Sequence, residues 1–466
     1  MKIKISIVLL LISSLFISCF EDMDDKIKPA SALDIQNFIY RGLNYYYLYK
    51  ADTPELANEA FATEEELNGF LSRFDSPEAL FDYLKSPQDR FSRLFDDYTV
   101  IENALSGVTR SNGMEFGLVY YPDNSGNVFG YVRYVLPNTD AEARGLERGD
   151  LFTTIDGVQL NENNYQELIS ADSYTIGLAT YDGVDFQLTG RTELLNKTRY
   201  DENPVFIART LNIDGQKIGY LMYNSFIQRY DTQLNEAFGR FKADGVSDLV
   251  VDLRYNGGGS VETATDLASM ITGQFNGEIF YKEYWNADRQ EGNARDGLFN
   301  NTINNGDAIN SLNLNRVYIL TTTNTASASE LVINGLDPYI NTVQIGDVTT
   351  GKFQASFLLY DAPAPNFSRD QASNAHTYVM LPLVFKTANK VGHTDFVDGL
   401  LPEINLKENY FNLGQLGNPE EPLLAIALGE ILAQPRHSNI DFKELKEISG
   451  SSTESPLQGV MIGNPK

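Results

Sequence analysis

Apolar residues recur at helical spacing from position 33 to 49, at Leu33, Phe38, Ile39, Leu43, Tyr46 and Tyr47, and again at Leu67, Phe70, Leu71 and Phe74. Recurrence at three and four residues predicts amphipathic helices with one buried stripe. Ser76-Pro77-Glu78 opens a third helix. There a serine hydroxyl can accept from a first-turn amide, and proline at the first helical position lacks only an N–H that would go unbonded. Residues 34–105 are expected to be an N-terminal helical domain whose aromatics form its core.

At Arg110 the period changes to two. Short alternating runs at 114–121, 128–135, 151–155, 174–180 and 184–189, separated by Gly, Asn and Asp, predict a small sheet domain over 106–200. Beyond a connector near 196–203, residues 205–435 carry longer elements: strands at 217–222, 248–254, 316–321 and 343–345, and helices at 234–241 and 261–271. The apolar run of 248–254 feeds directly into Asn256-Gly257-Gly258-Gly259-Ser260 and then a helix, the arrangement by which an α/β fold presents backbone amides to an anion. The segment 436–466 is polar, contains proline and glycine, and has no sustained period beyond 441–448, so a flexible C-terminal tail is expected. The fold class is a multidomain α+β chain.

Composition narrows the function. A length of 466 residues allows two to four domains, and 63 acidic against 36 basic side chains give a formal charge of −27, which repels phosphate backbones and argues against nucleic acid as a partner. The single cysteine, Cys19, excludes an internal disulfide and a thiolate cluster, and three histidines leave little for zinc, so neither a metal nor a cofactor is expected. A carbohydrate-binding surface would want exposed tryptophans, and Trp285 is the only one. Residues 1–18 have the form of a secretory signal: Lys2 and Lys4 precede an uncharged apolar run over 5–17, too short to span a bilayer comfortably.

The candidate chemistry lies between Thr325 and Lys352. Gly346-x-x-x-x-Gly351-Lys352 has most of the spacing of a phosphate-binding loop, but Phe353 stands where the magnesium-binding serine or threonine is needed. The other reading pairs Lys352 with a hydroxyl. Thr325-Ala326-Ser327-Ala328-Ser329-Glu330 opens a short helix that Pro338 ends, and Ser327-x-x-Glu330 also fits a plain capping box. A serine attacks an amide carbonyl only when its proton is taken, and a lysine can take it when burial disfavours the ammonium form. His376, His393 and His437 read as structural or surface residues.

Several blocks resemble known families. Phe16-Ile17-Ser18-Cys19 resembles a lipobox, with Phe16 in place of the usual leucine, which implies that Cys19 is acylated and becomes the N-terminus, followed by a tether over 19–33. Glu21-Asp22-Met23-Asp24-Asp25 resembles the surface-export signal of Bacteroidetes lipoproteins and reads equally well as a solvated tether. Together these imply an exported, membrane-anchored outer-membrane lipoprotein, on the periplasmic side or the cell surface. The stretch PNTDAEARGLERGDLFTTIDGVQL resembles the PDZ domain of bacterial proteases, which implies that Glu115-Phe116-Gly117-Leu118 holds a peptide's C-terminal carboxylate with backbone amides while the peptide adds as a strand.

VVDLRYNGGG, TASASELV and IGDVTTGK, with Lys352 following Ser327 by 25 residues, resemble the C-terminal processing, or tail-specific, serine proteases. The resemblance covers roughly residues 107–435. It implies a crotonase-related α/β protease domain embracing a PDZ domain, Ser327 as nucleophile, Lys352 as general base, and an oxyanion hole from the amides of Ala328 and a glycine of the 257–259 turn, Gly258. Glu330 is a possible support of the dyad. Gln354 stands two residues after the lysine where the family often has glutamine four after it, a position held here by Ser356. The implied partners are polypeptides with exposed C-termini. The alternative is a catalytically silent scaffold lipoprotein that binds peptides, against which intact Ser327 and Lys352 argue.

Overall fold

The computed structural model describes residues 28–434, 444–451 and 455–463. The signal, Cys19, the acidic run and His437 lie outside the described residues. Among the described residues no helix is long and apolar enough to cross a membrane.

The helix Ala32–Tyr46 starts at a capping box in which the Ser31 amide donates to Asp34 Oδ2 at 2.8 Å. Helices Glu64–Leu71 and Pro77–Leu84 follow, capped by the Thr63 and Ser76 hydroxyls. Their core is continuous with that of the α/β region. Phe38, Ile39, Leu43, Leu71 and Leu80 share one core with Leu221, Val251, Leu267, Trp285 and Phe385 of the α/β region. The same stretch holds two elements that helical spacing does not mark: Arg93–Phe95, a strand paired antiparallel with Val379–Leu381, and the helix Tyr98–Leu105. A strand of three residues is too short to show a period.

The alternating runs pair antiparallel in the order Met114–Tyr120, Val128–Val135, Leu151–Ile155, Ser173–Tyr181 and Phe186–Asn196. Phe116, Leu118, Val128, Val132, Phe152 and Ile176 point to the inner face of this small β domain. The expected connector contains a further strand, Thr198–Asp201, paired with Val108–Ser111.

The α/β region is built on a six-stranded sheet in the order Val205–Ile213, Gln216–Tyr223, Asp248–Asp252, Arg316–Thr321, Asn341–Gly346 and Ile404–Asn405, parallel from the second strand onward. Leu249, Val251, Val317 and Ile319 face the main core with helices Asp231–Asp244, Val261–Thr272 and Ala328–Leu336. Val250, Tyr318, Leu320 and Ile345 face the helix Pro422–Ile431. Burial on both faces is why the 248–253 run shows no alternation.

The C-terminal segment departs from the expected flexible tail. Glu447–Gly450 adds to the edge of Met114–Tyr120 in the small β domain. Val460–Ile462 lies between Gly258–Ser260 and Gln354–Ser356 in a second six-stranded sheet, parallel to both. Strands of three and four residues in a polar context carry no readable period, and their partners are more than a hundred residues away in sequence.

Candidate active site

The strand Asp248–Asp252 delivers the chain to the glycine turn, and buried charge fixes that delivery. Arg254 is fully buried and meets Asp252 at 2.9 Å, Glu421 at 2.8 Å and Glu408 at 3.0 Å, while Arg148 of the small β domain reaches the same Glu408 at 2.7 Å. Against the cost of burial, the two guanidiniums hold the Glu408 carboxyl down at about 2. Asn256 then ties the turn together. Its Nδ2 donates to the Tyr223 carbonyl at 2.9 Å, its Oδ1 accepts from the Gly258 amide at 2.9 Å, and its carbonyl accepts from the Ala326 amide and the Ser329 hydroxyl, both at 3.1 Å.

Ser327 precedes the helix Ala328–Leu336 and has φ +66°, ψ −114°, a conformation costly for any residue with a side chain and characteristic of held functional sites. It is fully buried, and its hydroxyl has no hydrogen-bond partner among the described residues. The glycine turn abuts it: a Cβ placed on Gly258 would lie 2.7 Å from Ser327 Cβ, 3.0 Å from its Oγ and 2.5 Å from the Val460 carbonyl oxygen. Ala328 begins the helix, so its N–H has no intrahelical carbonyl to bond.

Lys352 is also fully buried, and burial is the largest of the effects that bring its pKa down from 10.5 to about 7, with Arg93 acting in the same direction and Asp89 and Glu330 against it. Its Nζ donates to the Gln354 carbonyl and stands 5.3 Å from the centre of the Phe91 ring. Glu330 joins the two halves. One carboxylate oxygen accepts from the Ser327 amide at 2.7 Å and the Lys352 amide at 2.9 Å; the other accepts from the Gly351 amide at 2.7 Å and Thr349 Oγ1 at 2.5 Å. The residue that caps the helix therefore also fixes the lysine loop against the serine.

The remaining sequence candidates fall as follows. The Gly258 amide is already given to Asn256, so of the two expected oxyanion donors only Ala328 has an amide placed to be open. Gln354 is buried, with Nε2 on Tyr49 Oη at 2.8 Å and Oε1 unpartnered among the described residues. Phe116 and Leu118 fill the core of the small β domain, Gly117 pairs with Gly450, and Glu115 is partly buried, its carboxyl raised by that burial. His376 pairs with Asp361 and His393 with Asn334, away from the dyad. Trp285 is buried and packs on Phe385 at 5.0 Å.

Periodicity and motif spacing do not single out Asp89, Phe91 and Arg93, which reach the site from the segment that follows the helix Pro77–Leu84 and act on Lys352 through charge and packing. Asn256 is visible as part of the glycine motif, but its four hydrogen bonds to Tyr223, Gly258, Ala326 and Ser329 are not.

Residues 217–360 match the model of peptidase family S41, and residues 34–93 match the peptidase S41 N-terminal domain. A carboxyl-terminal-processing protease of a Picosynechococcus species is 25% identical over 302 residues, 62% of this chain and 66% of that protein. A chloroplastic C-terminal processing peptidase of Tetradesmus obliquus is 24% identical over 309 residues, 63% and 62% of the two lengths. This chain thus spans just under two thirds of the length of these curated relatives. A crystal structure assigned as an S41 protease, from Bacteroides fragilis, superposes with a TM-score of 0.67 at 26% identity, covering 86% of this chain and 98% of that one.

Proposed function

We propose that this chain, whose residues 217–360 match the model of peptidase family S41, is a serine endopeptidase of that family in which Ser327 attacks and Lys352 is the base. One observation carries the assignment of roles. A buried serine in a strained conformation and a buried lysine brought to about 7 are bound through their backbones to the same carboxylate, Glu330.

In this reading neutral Lys352 Nζ leaves the Gln354 carbonyl and takes the Ser327 hydroxyl proton as Oγ bonds to the substrate carbonyl carbon. The ammonium then returns the proton to the departing amine, and water repeats the cycle on the acyl-enzyme. The Ala328 amide stabilises the oxyanion, a role worth about 2.7–4 kcal/mol per donor. Gly258 contributes once its amide exchanges the Asn256 oxygen for the substrate's.

The small β domain acts as a PDZ domain that admits polypeptides by their C-terminal ends along the Glu115–Leu118 strand edge, and the protein is held at the outer membrane through an acylated Cys19. The strand-edge pairing with Glu447–Gly450 supports the first of these: that edge does accept an added antiparallel strand.

The test is labelling with a fluorophosphonate followed by peptide mapping. Modification of Ser327 that disappears in Lys352→Ala is expected. Folded protein left unmodified at Ser327 even with an unfolded polypeptide present, and cleaving none of it, would instead identify a silent peptide-binding scaffold. Amidating the C-terminus of an unfolded substrate is expected to slow its cleavage, and equal rates would remove end recognition from the small β domain.

A further inference from the structure

The two places an extended substrate would need, a strand edge on the small β domain and a slot beside Ser327, are both filled by the chain's own C-terminal segment. At the strand edge, Glu447–Gly450 runs antiparallel to Met114–Tyr120, with Gly450 opposite Gly117, and the Phe116 amide donates to Ser451 Oγ at 3.0 Å. Ile448 packs on the fringe of the domain core together with Tyr165 and Leu168. Glu447 supplies a carboxylate to a buried guanidinium: Arg133 Nη2 meets Oε1 at 2.5 Å, and Tyr131 Oη donates to Oε2 at 2.7 Å. Removing such a partner leaves a charge desolvated, so this contact resists casual loss.

Ser451 and residues 455–458 help to line a cavity of about 740 Å³. Arg93, at the start of the strand Arg93–Phe95, holds residues 456–458 by donating to the carbonyls of Pro456 at 3.0 Å and Gln458 at 2.6 Å. In the cleft the Gly459 amide donates to the Gly257 carbonyl and the Gly463 amide to the Ser356 carbonyl, both at 3.0 Å. Val460 places its carbonyl beside Gly258, where an added Cβ would also impinge on the Ser327 side chain, and Met461 is fully buried in the main core. In this arrangement the Ser327 hydroxyl is buried and Lys352 donates to the Gln354 carbonyl.

We propose that residues 444–451 and 455–463 are a cis-acting occupant of the substrate track, and that a polypeptide enters by displacing them. The occupant also describes its competitor: an extended chain with a carboxylate for Arg133 and Tyr131, an apolar residue next to it, and an apolar residue further on for the Met461 pocket. This rests on the peptidase reading given above for the cleft, but the binding itself does not require catalysis.

Gly450→Val should expel the strand, because its Cβ would meet the Phe116 carbonyl oxygen at 2.6 Å. Glu447→Gln is a milder release that introduces no clash. Two measurements are made on the full chain. Cleavage of a reduced, alkylated unfolded protein should accelerate at least about ten-fold in Gly450→Val and in the same direction in Glu447→Gln. In a Ser327→Ala background, a fluorescent peptide of residues 444–463 should bind Gly450→Val at least about ten-fold more tightly than the parent, and the peptide carrying Glu447→Gln should lose about ten-fold. Amidating that peptide's end should change nothing, because the side-chain carboxylate is the source of the charge. Equal peptide binding with and without Gly450→Val, or equal binding of the Glu and Gln peptides, would overturn the proposal. Intact, discriminating binding with no cleavage by any variant would instead refute the peptidase reading and leave the occupant in place.

Discussion

Lys352 sets the pH at which the site can work. Below about 7 the neutral fraction of this base falls ten-fold per pH unit, so cleavage rate at saturating substrate should rise through that pH and level off above it. The same burial carries a stability cost whose sign is fixed. The folded value lies below the ordinary 10.5, so between about 7 and 10.5 the unfolded chain binds the extra proton and stability rises with pH, while below 7 the penalty of enclosing the ammonium is complete. Lys352→Met keeps the stem without the charge. It should therefore raise the melting temperature by several degrees at pH 6 and by less at pH 9, with activity lost, as thermal unfolding at the two pH values would read. Glu330→Gln should lower kcat by about ten-fold or more with KM little changed, since an amide cannot accept from four donors on both its ends, and steady-state kinetics will separate the two. Ser327, Lys352 and Glu330 were legible as a spacing. That one carboxylate would tie serine and lysine together was not, because the contact between Glu330 and residues 349–352 exists only once two loops are folded side by side.

At the scale of elements, the glycine turn and the inserted strand decide what the cleft can hold. Gly259 has φ +135°, and a Cβ there would meet the Phe226 carbonyl oxygen at 2.2 Å. Gly259→Ala should cost roughly 1–3 kcal/mol from backbone strain alone and should depress cleavage beyond what the lost stability explains, measurable by denaturant titration alongside activity. The strands of the small β domain and the parallel sheet could be read because each is long enough to show its period. The 128–135, 151–155 and 316–321 runs coincide with the observed strands to the residue. Arg93–Phe95, Glu447–Gly450 and Val460–Ile462 could not, since each is defined by a distant partner rather than by its own pattern.

Across the whole molecule, the N-terminal helices, the small β domain and the α/β region share contacts at the site instead of merely adjoining it. Asp89, Phe91 and Arg93 reach Lys352 from the segment that follows the first, Arg148 reaches Glu408 from the second, and Glu330 sits in the third. Composition excluded nucleic acid and metal chemistry from the expectations, and the signal and Cys19 suggested export with an anchor. Cys19→Ser should move the protein from the membrane fraction to the soluble one, and continued membrane attachment of that variant would remove the anchor from the account.

The most direct measurement is the initial rate of cleavage of one unfolded protein by wild type, Ser327→Ala and Lys352→Ala, each shown to be folded, across pH 6 to 9. The wild-type rate should climb through about pH 7, and both variants should lose about 10²-fold or more at every pH. A Lys352→Ala protein that keeps more than about a tenth of the wild-type rate, or whose profile still climbs through the same pH, would contradict the assignment of Lys352 as the base.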